Sequence, residues 1–288
     1  MNTRWTLPAS VALCAAALAI PACGGDDETQ SKPTADAGAD ATPDAPSCVD
    51  PGQDPLPRTE AFAAFDPKRQ RVVVFGGDVG VPQQCNPAPK PIGELWTYDV
   101  TCKYFSPVSP SGGPGPRARG LAVYDPEGDR MIVFGGRYRE ASSGPYTVYN
   151  DVWALSLETL SWQQIQTTGG GPSGRSSTSG AYNPATKELV LFGGNASTSG
   201  ASFTPLDDAW ALNLTTGAWR ALGSTGAKPE ARLFHSTAID PASGRMFVYA
   251  GGGAGAFQGP FSPPLQCRGR AGGAAWVLAG PGTTLLRG

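Results

Sequence analysis

The sequence predicts an all-β fold, a propeller of about four four-stranded blades with the last one incomplete, and three observations predict it. One pattern recurs four times at a nearly fixed step. Each copy holds a short β-branched and aromatic run that ends in a glycine pair. The chain carries 39 Gly and 28 Pro in 288 residues, so many turns and short elements are expected rather than long helices.

The first copy runs from Arg58 to Phe65-Asp66-Pro67 and on to Val72-Val73-Val74-Phe75-Gly76-Gly77. The second runs from Arg117 through Tyr124-Asp125-Pro126 to Phe134-Gly135-Gly136, and the third from Arg175 through Tyr182-Asn183-Pro184 to Phe192-Gly193-Gly194. The fourth runs from Arg232 through Ile239-Asp240-Pro241 to Tyr249-Ala250-Gly251-Gly252. The second glycines fall at 77, 136, 194 and 252, so the steps are 59, 58 and 58. A fixed period of this length marks a repeat architecture in which each unit is one supersecondary element.

Each element has a local cause. Asp-Pro or Asn-Pro followed by polar residues is a turn signal. The runs before the glycines suit buried strands. Leu155, Leu157, Leu212 and Leu214 alternate with small or polar residues, the period of two that a strand requires. After each glycine pair come a variable loop, an acid-x-Trp triplet (Glu94-Leu95-Trp96, Asp151-Val152-Trp153, Asp208-Ala209-Trp210) and a second aromatic at Phe105, Trp162 or Trp219. Each unit thus offers four antiparallel strands, a to d. One such sheet cannot bury both faces, whereas sheets stacked radially cover one another. The tryptophans are expected to fill the space between blades.

Glycine pair, tryptophan and second aromatic together resemble the kelch repeat, over roughly residues 58–253. The resemblance implies a kelch-type β-propeller and a role in binding. Propellers of this kind usually close with six or seven blades, and here only four units are encoded, at about 58–116, 117–174, 175–231 and 232–288. The fourth shows Ala275-Trp276-Val277-Leu278 as strand c and no convincing strand d. Truncation of a longer ancestor is the favoured explanation. An open arc, or closure by a partner or by self-association, are the alternatives, because an exposed edge is an aggregation hazard.

Ahead of the repeats, residues 1–22 read as an export signal: Arg4, then the apolar run Val11 to Ile20, too short to span a membrane. Ile20-Pro21-Ala22-Cys23 resembles the lipobox of bacterial lipoproteins, which implies lipidation at Cys23 and anchoring to the envelope, with Gly24 favouring the outer membrane. Residues 23–57 are rich in Asp, Ala and Pro and poor in apolar area, so a solvated tether is expected.

The chemistry is sparse. The formal net charge is −2, which offers no basic surface for nucleic acid. His235 is the single histidine. The copper oxidases that share the kelch propeller need two histidines, and a histidine-rich zinc site fails for the same reason. No catalytic residue, metal or cofactor is expected, and His235 is read as a strand-a residue. Asn150-Asp151 and Asp207-Asp208 recur at one blade position and are read as structural hydrogen-bonding groups rather than a cation site. Arg58, Arg117, Arg175 and Arg232 recur as well, which suggests an inter-blade salt bridge or loop clamp, or else a basic ring for anionic sugars. Cys48, Cys85, Cys102 and Cys267 allow three pairings, of which Cys85–Cys102 is the easiest because both would lie in blade one.

Alternation of strand direction puts the b–c loops and the blade-to-blade connections on one face. Arg137, Tyr138, Arg139, Tyr146 and Tyr149 in the second b–c loop form the candidate ligand-binding set, since exposed aromatics with arginine are common in recognition surfaces. The expected function is an envelope-anchored binding module for a protein or glycan. The alternatives are a metal-free carbohydrate-active enzyme of epimerase or lyase type, and a non-functional fragment.

Overall fold

The structure is a computed structural model and describes residues 48–80, 89–141, 143–200, 202–223 and 228–253, with two short strands at 276–278 and 285–287. The export signal, most of the tether, Cys23, Cys85 and Cys267 lie outside the described residues. The described elements are all strands.

Four antiparallel four-stranded sheets follow one another in the chain. Blade one holds β1 (Phe62–Asp66), β2 (Arg71–Phe75), β3 (Leu95–Asp99) and β4 (Tyr104–Val108). Blade two holds β5 (Leu121–Asp125), β6 (Arg130–Phe134), β9 (Val152–Ser156) and β10 (Trp162–Ile165), and its b–c loop forms a hairpin of β7 (Arg137–Tyr138) and β8 (Thr147–Val148). Blade three holds β11 (Ser179–Asn183), β12 (Glu188–Phe192), β13 (Ala209–Asn213) and β14 (Trp219–Leu222). Blade four holds β15 (Ser236–Ile239), β16 (Met246–Tyr249), β17 (Trp276–Leu278) and β18 (Leu285–Arg287). The first strands neighbour one another in the order β1, β5, β11, β15, as the inner strands of radially stacked sheets must. The kelch-type fold class stands. Strand d of blade four, which the sequence does not make convincing, is present as β18 and pairs with β17.

The core lies between blades and follows from the period of two. Met131 and Val133 of β6 pack toward Phe62, Val73 and Phe75 of blade one. Their neighbours Ile132 and Phe134 pack toward Leu189, Leu191 and Trp219 of blade three. The next junction repeats this with Val190 and Phe192 against Met246 and Val248. The rings that bridge blades are those of strand d: Trp162 lies 5.1 Å from Phe75, and Trp219 lies 5.5 Å from Phe134. Trp153 and Trp210 of strand c flank these clusters and are only partly buried. The between-blade role thus belongs chiefly to the second aromatic of each unit.

The a–b turns form as the Asp-Pro signal requires. The Asp125, Asn183 and Asp240 side chains accept from the backbone N–H two residues on, at 3.0–3.1 Å. Arg71 donates to the Leu157 carbonyl and Arg130 to the Leu214 carbonyl, tying each blade's strand b to the next blade's c–d turn.

Two further sequence expectations change. Cys102 pairs with Cys48, not Cys85, at a Cα–Cα distance of 5.4 Å. Blade membership was a poor guide here: the segment before the first strand, counted with the tether, returns to the c–d turn of blade one and brings Cys48 within bonding reach. The fourth unit is also offset by one. Leu233 bridges Gly252 where Thr59, Ala118 and Ser176 bridge Asp78, Arg137 and Asn195. Ala250 and Gly251 therefore hold the positions of the glycine pair.

Candidate functional site

The repeated arginines close each blade at the end that carries the b–c loops. Arg117 donates to both carboxylate oxygens of Asp151, at 2.6 and 3.2 Å, and to the Gly135 carbonyl at 3.3 Å. Arg175 does the same with Asp208, at 2.6 and 2.8 Å, and with Gly193 at 3.0 Å. Arg58 reaches Glu94 at 2.8 Å. The acid also takes the indole N–H of the tryptophan two residues on, at 3.0 Å for Trp96, 2.8 Å for Trp153 and 2.7 Å for Trp210. This fixes the reason for the acid-x-Trp spacing: one carboxylate holds a planar guanidinium and an indole together. Burial pushes the Asp208 carboxyl up, but the bonds from Arg175 and Trp210 outweigh it and leave the group below its usual range. The salt bridge lies within one blade, not between blades.

The tie between blades is the arginine's backbone. Gly77, Gly136 and Gly194 donate their N–H groups to the carbonyls of Arg117, Arg175 and Arg232, at 2.9–3.0 Å. The glycine before each leaves no room for a side chain. A Cβ at Gly76, Gly135 or Gly193 would lie 2.5, 2.7 or 2.7 Å from that same carbonyl oxygen, and each has a positive φ. The glycine pair is thus the mark of an abutting next blade.

Two residues past each arginine the chain turns inward in a left-handed conformation: Glu60 (φ 61°), Arg119 (φ 61°), Ser177 (φ 54°) and Phe234 (φ 57°). The backbone links these positions in series. Arg119 N–H donates to Glu60 at 2.9 Å, Ser177 to Arg119 at 2.6 Å, and Phe234 to Ser177 at 3.3 Å. They precede the innermost strands β1, β5, β11 and β15 at the end that carries the b–c loops, a region called the axial mouth below. Arg119 pairs with Glu60 at 2.5 Å and lies 5.2 Å from the centre of the Phe234 ring. Phe203, from the b–c loop of blade three, meets Phe234 edge-on at 6.2 Å. Phe234 is 44 % exposed. Left-handed residues that are not glycine cost energy and persist only where the surroundings hold them. Here the cost recurs in every blade, while the side chains differ in charge, size and polarity.

The hairpin singled out from the sequence borders this mouth and is folded on itself. Tyr146 is buried between two guanidiniums, with Arg137 at 4.1 Å and Arg139 at 4.3 Å from its ring centre. Its N–H donates to Thr198 of the neighbouring b–c loop at 2.7 Å. Arg137 is also buried, and desolvation, with the charge of Arg119, lowers its pKa. Tyr149 stacks under the framework Arg117 at 4.0 Å. Tyr138 and Tyr149 are half-buried. Arg137 and Tyr146 thus build the rim, and a ligand would meet Tyr138, Tyr149 and the residues at the axis. Little in the sequence marks Glu60, Arg119, Ser177 and Phe234. Their only common mark is a constant offset from the framework arginine.

The remaining candidates find structural places. Asp207 pairs with Lys228 at 2.5 Å and Asp208 with Arg175. His235 is buried between blades three and four, 5.5 Å from the Phe192 ring. Burial, with the charge of Arg232, pushes its pKa down to about 4, so it packs as a neutral ring.

Comparison with known proteins agrees with this architecture. The profile of the KLHDC2/KLHL20/DRC7 Kelch-repeats domain matches residues 42–256. Kelch domain-containing protein 2 of Bos taurus is 32% identical over 149 residues, which are 51% of this chain and 33% of that protein. Acyl-CoA-binding domain-containing protein 5 of Arabidopsis thaliana is 28% identical over 170 residues, 59% of this chain and 23% of that protein. The chain therefore spans a third or less of these relatives' length. The solved structure of YjhT superposes with a TM-score of 0.55 at 15% identity, over 82% of this chain and 66% of that one.

Proposed function

Because the chain belongs to the KLHDC2/KLHL20/DRC7 kelch-repeats domain family, we propose that it is a binding module that holds a protein ligand across its axial mouth. One observation carries this reading. Glu60, Arg119, Ser177 and Phe234 share one strained backbone conformation and one inter-blade hydrogen-bond chain, yet present four different chemistries. A rigid scaffold that displays variable side chains is how recognition surfaces are usually built. A salt-bridged Glu60–Arg119 pair beside an exposed Phe234 suits a mixed polar and aromatic protein surface better than a sugar. The hairpin 137–149 forms the rim through Tyr138 and Tyr149.

The module is placed at the cell envelope in this proposal, held by lipid on Cys23, as the resemblance of residues 20–23 to a lipobox suggests. Metabolic labelling with a fatty-acid analogue should mark the wild type and not Cys23→Ser. Equal labelling of both would remove the anchor. For the mouth, the Arg119→Ala/Phe234→Ala variant should lose at least about tenfold in affinity for ligands selected on peptide and glycan arrays, the scale of a hot-spot loss. Lys68→Ala/Lys187→Ala, at the opposite end of the blades, should not. Ligands found only among glycans, or loss only in the second variant, would refute the reading.

A further inference from the structure

Among the described residues, three framework arginines have a carboxylate partner from their own blade, and the fourth, Arg232, has none. Arg58, Arg117 and Arg175 are held by Glu94, Asp151 and Asp208. In blade four β17 keeps the register: Trp276 pairs with Val248 as Trp210 pairs with Leu191. The residue two before Trp276 is Ala274, and Asp240, in the a–b turn at the far end of the blade, is the last acidic residue of the sequence. Residues 232–288 carry five arginines against that one aspartate.

Arg232 nevertheless keeps the framework pose. It is 9 % exposed, and donates from Nη1 to the Ala250 carbonyl at 2.9 Å and from Nε to the Glu230 carbonyl at 3.0 Å. These bonds match those that Arg175 makes to Gly193 and Ser173. Glu230 lends Arg232 attraction through space. Desolvation lowers the Arg232 pKa. A buried guanidinium without a counter-charge is costly, and in the sibling blades that cost is offset by one carboxylate seated across both Nη atoms.

We propose that Arg232 binds a carboxylate from outside the chain, an Asp or Glu side chain of an acidic peptide, in the place that the blade's own acid holds elsewhere. The sibling sites show the geometry that such a ligand would adopt, with both oxygens against the guanidinium Nη atoms. This site stands on its own observation and does not depend on the axial mouth.

The test is chemical rescue on the purified chain. Acetate should raise the melting temperature of the wild type saturably, above chloride at equal ionic strength. Acetyl-Gly-Asp-Gly-amide should do the same and its Asn counterpart should not. Ala274→Asp should raise the melting temperature without acetate and abolish the acetate response. An acetate effect equal to that of chloride, or one unchanged in Ala274→Asp, would overturn the site. A response to galacturonate with none to the Asp peptide would overturn the peptide assignment.

Discussion

Truncating Trp219 should cost this fold more than truncating Trp210, although Trp210 belongs to the acid-x-Trp triplet that marks the repeat. Trp219 is 5 % exposed, lies against Phe134 of the preceding blade at 5.5 Å, and covers the connection at Gly171. A buried aromatic removes roughly 150–250 Å² from water, which at ~25 cal/mol per Å² gives an upper bound of about 4–6 kcal/mol. Core truncations of this kind fall at about 3–5 kcal/mol, so Trp219→Ala should cost about 4 kcal/mol. Trp210 is half-buried, and its removal leaves Asp208 still held by Arg175. The loss there is part of the ring contact and one hydrogen bond, about 1–3 kcal/mol. Urea unfolding followed by far-ultraviolet circular dichroism measures both. A cycle with Phe134→Ala should give a coupling of about 0.5–1.5 kcal/mol with Trp219. Equal costs for the two tryptophans, or zero coupling to Phe134, would refute the assignment of strand d to the blade junction.

Gly193→Ala should destabilise the junction of blades three and four, because its Cβ meets the Arg232 and Leu206 carbonyls at 2.7 and 3.0 Å; Ala250→Gly, at φ 58°, should stabilise by up to about 1 kcal/mol, and thermal melts decide both. His235 has a folded pKa of about 4 against an ordinary 6.5. The unfolded chain therefore binds its proton first, and stability should fall as pH drops from 6.5 to 4, by about 3 kcal/mol at most. His235→Gln should flatten that window in denaturation curves, and an unchanged slope would contradict the buried neutral ring. Peptide mapping without reduction should recover Cys48 linked to Cys102. Closing 54 residues is worth up to about 4 kcal/mol in the chain-entropy picture, so Cys48→Ser should lower stability, whereas recovery of Cys85–Cys102 would contradict the structure.

What could be read from the sequence was set by how narrow the chemistry is at each position. The glycine pairs were legible because no other residue fits under a neighbouring arginine carbonyl. The Asp-Pro turns were legible because the aspartate bonds its own turn. Repetition alone marks the triplet acids as structural, and Asp151 and Asp208 show the bonds that impose it. Other features left weaker marks. Ala250 displaced the fourth unit by one residue, because gap placement among three small residues has no sequence signal. The Cys48–Cys102 pair is not legible, because a disulfide's reach is a distance and spacing along the chain does not give one. The hairpin's aromatic and arginine content suggested display, but Tyr146 spends its ring on holding Arg137 and Arg139. The axial residues were invisible for the reason that makes them candidates: their backbone repeats and their side chains do not.

Amide hydrogen exchange of the chain with and without an array-selected ligand locates the surface that the ligand covers. Binding at the axial mouth should slow exchange at residues 59–60, 118–119, 176–177 and 233–234 and along the 137–149 hairpin, with the a–b turns at 66–71, 125–130 and 183–188 unchanged. Protection at those turns with an unaltered mouth would contradict it.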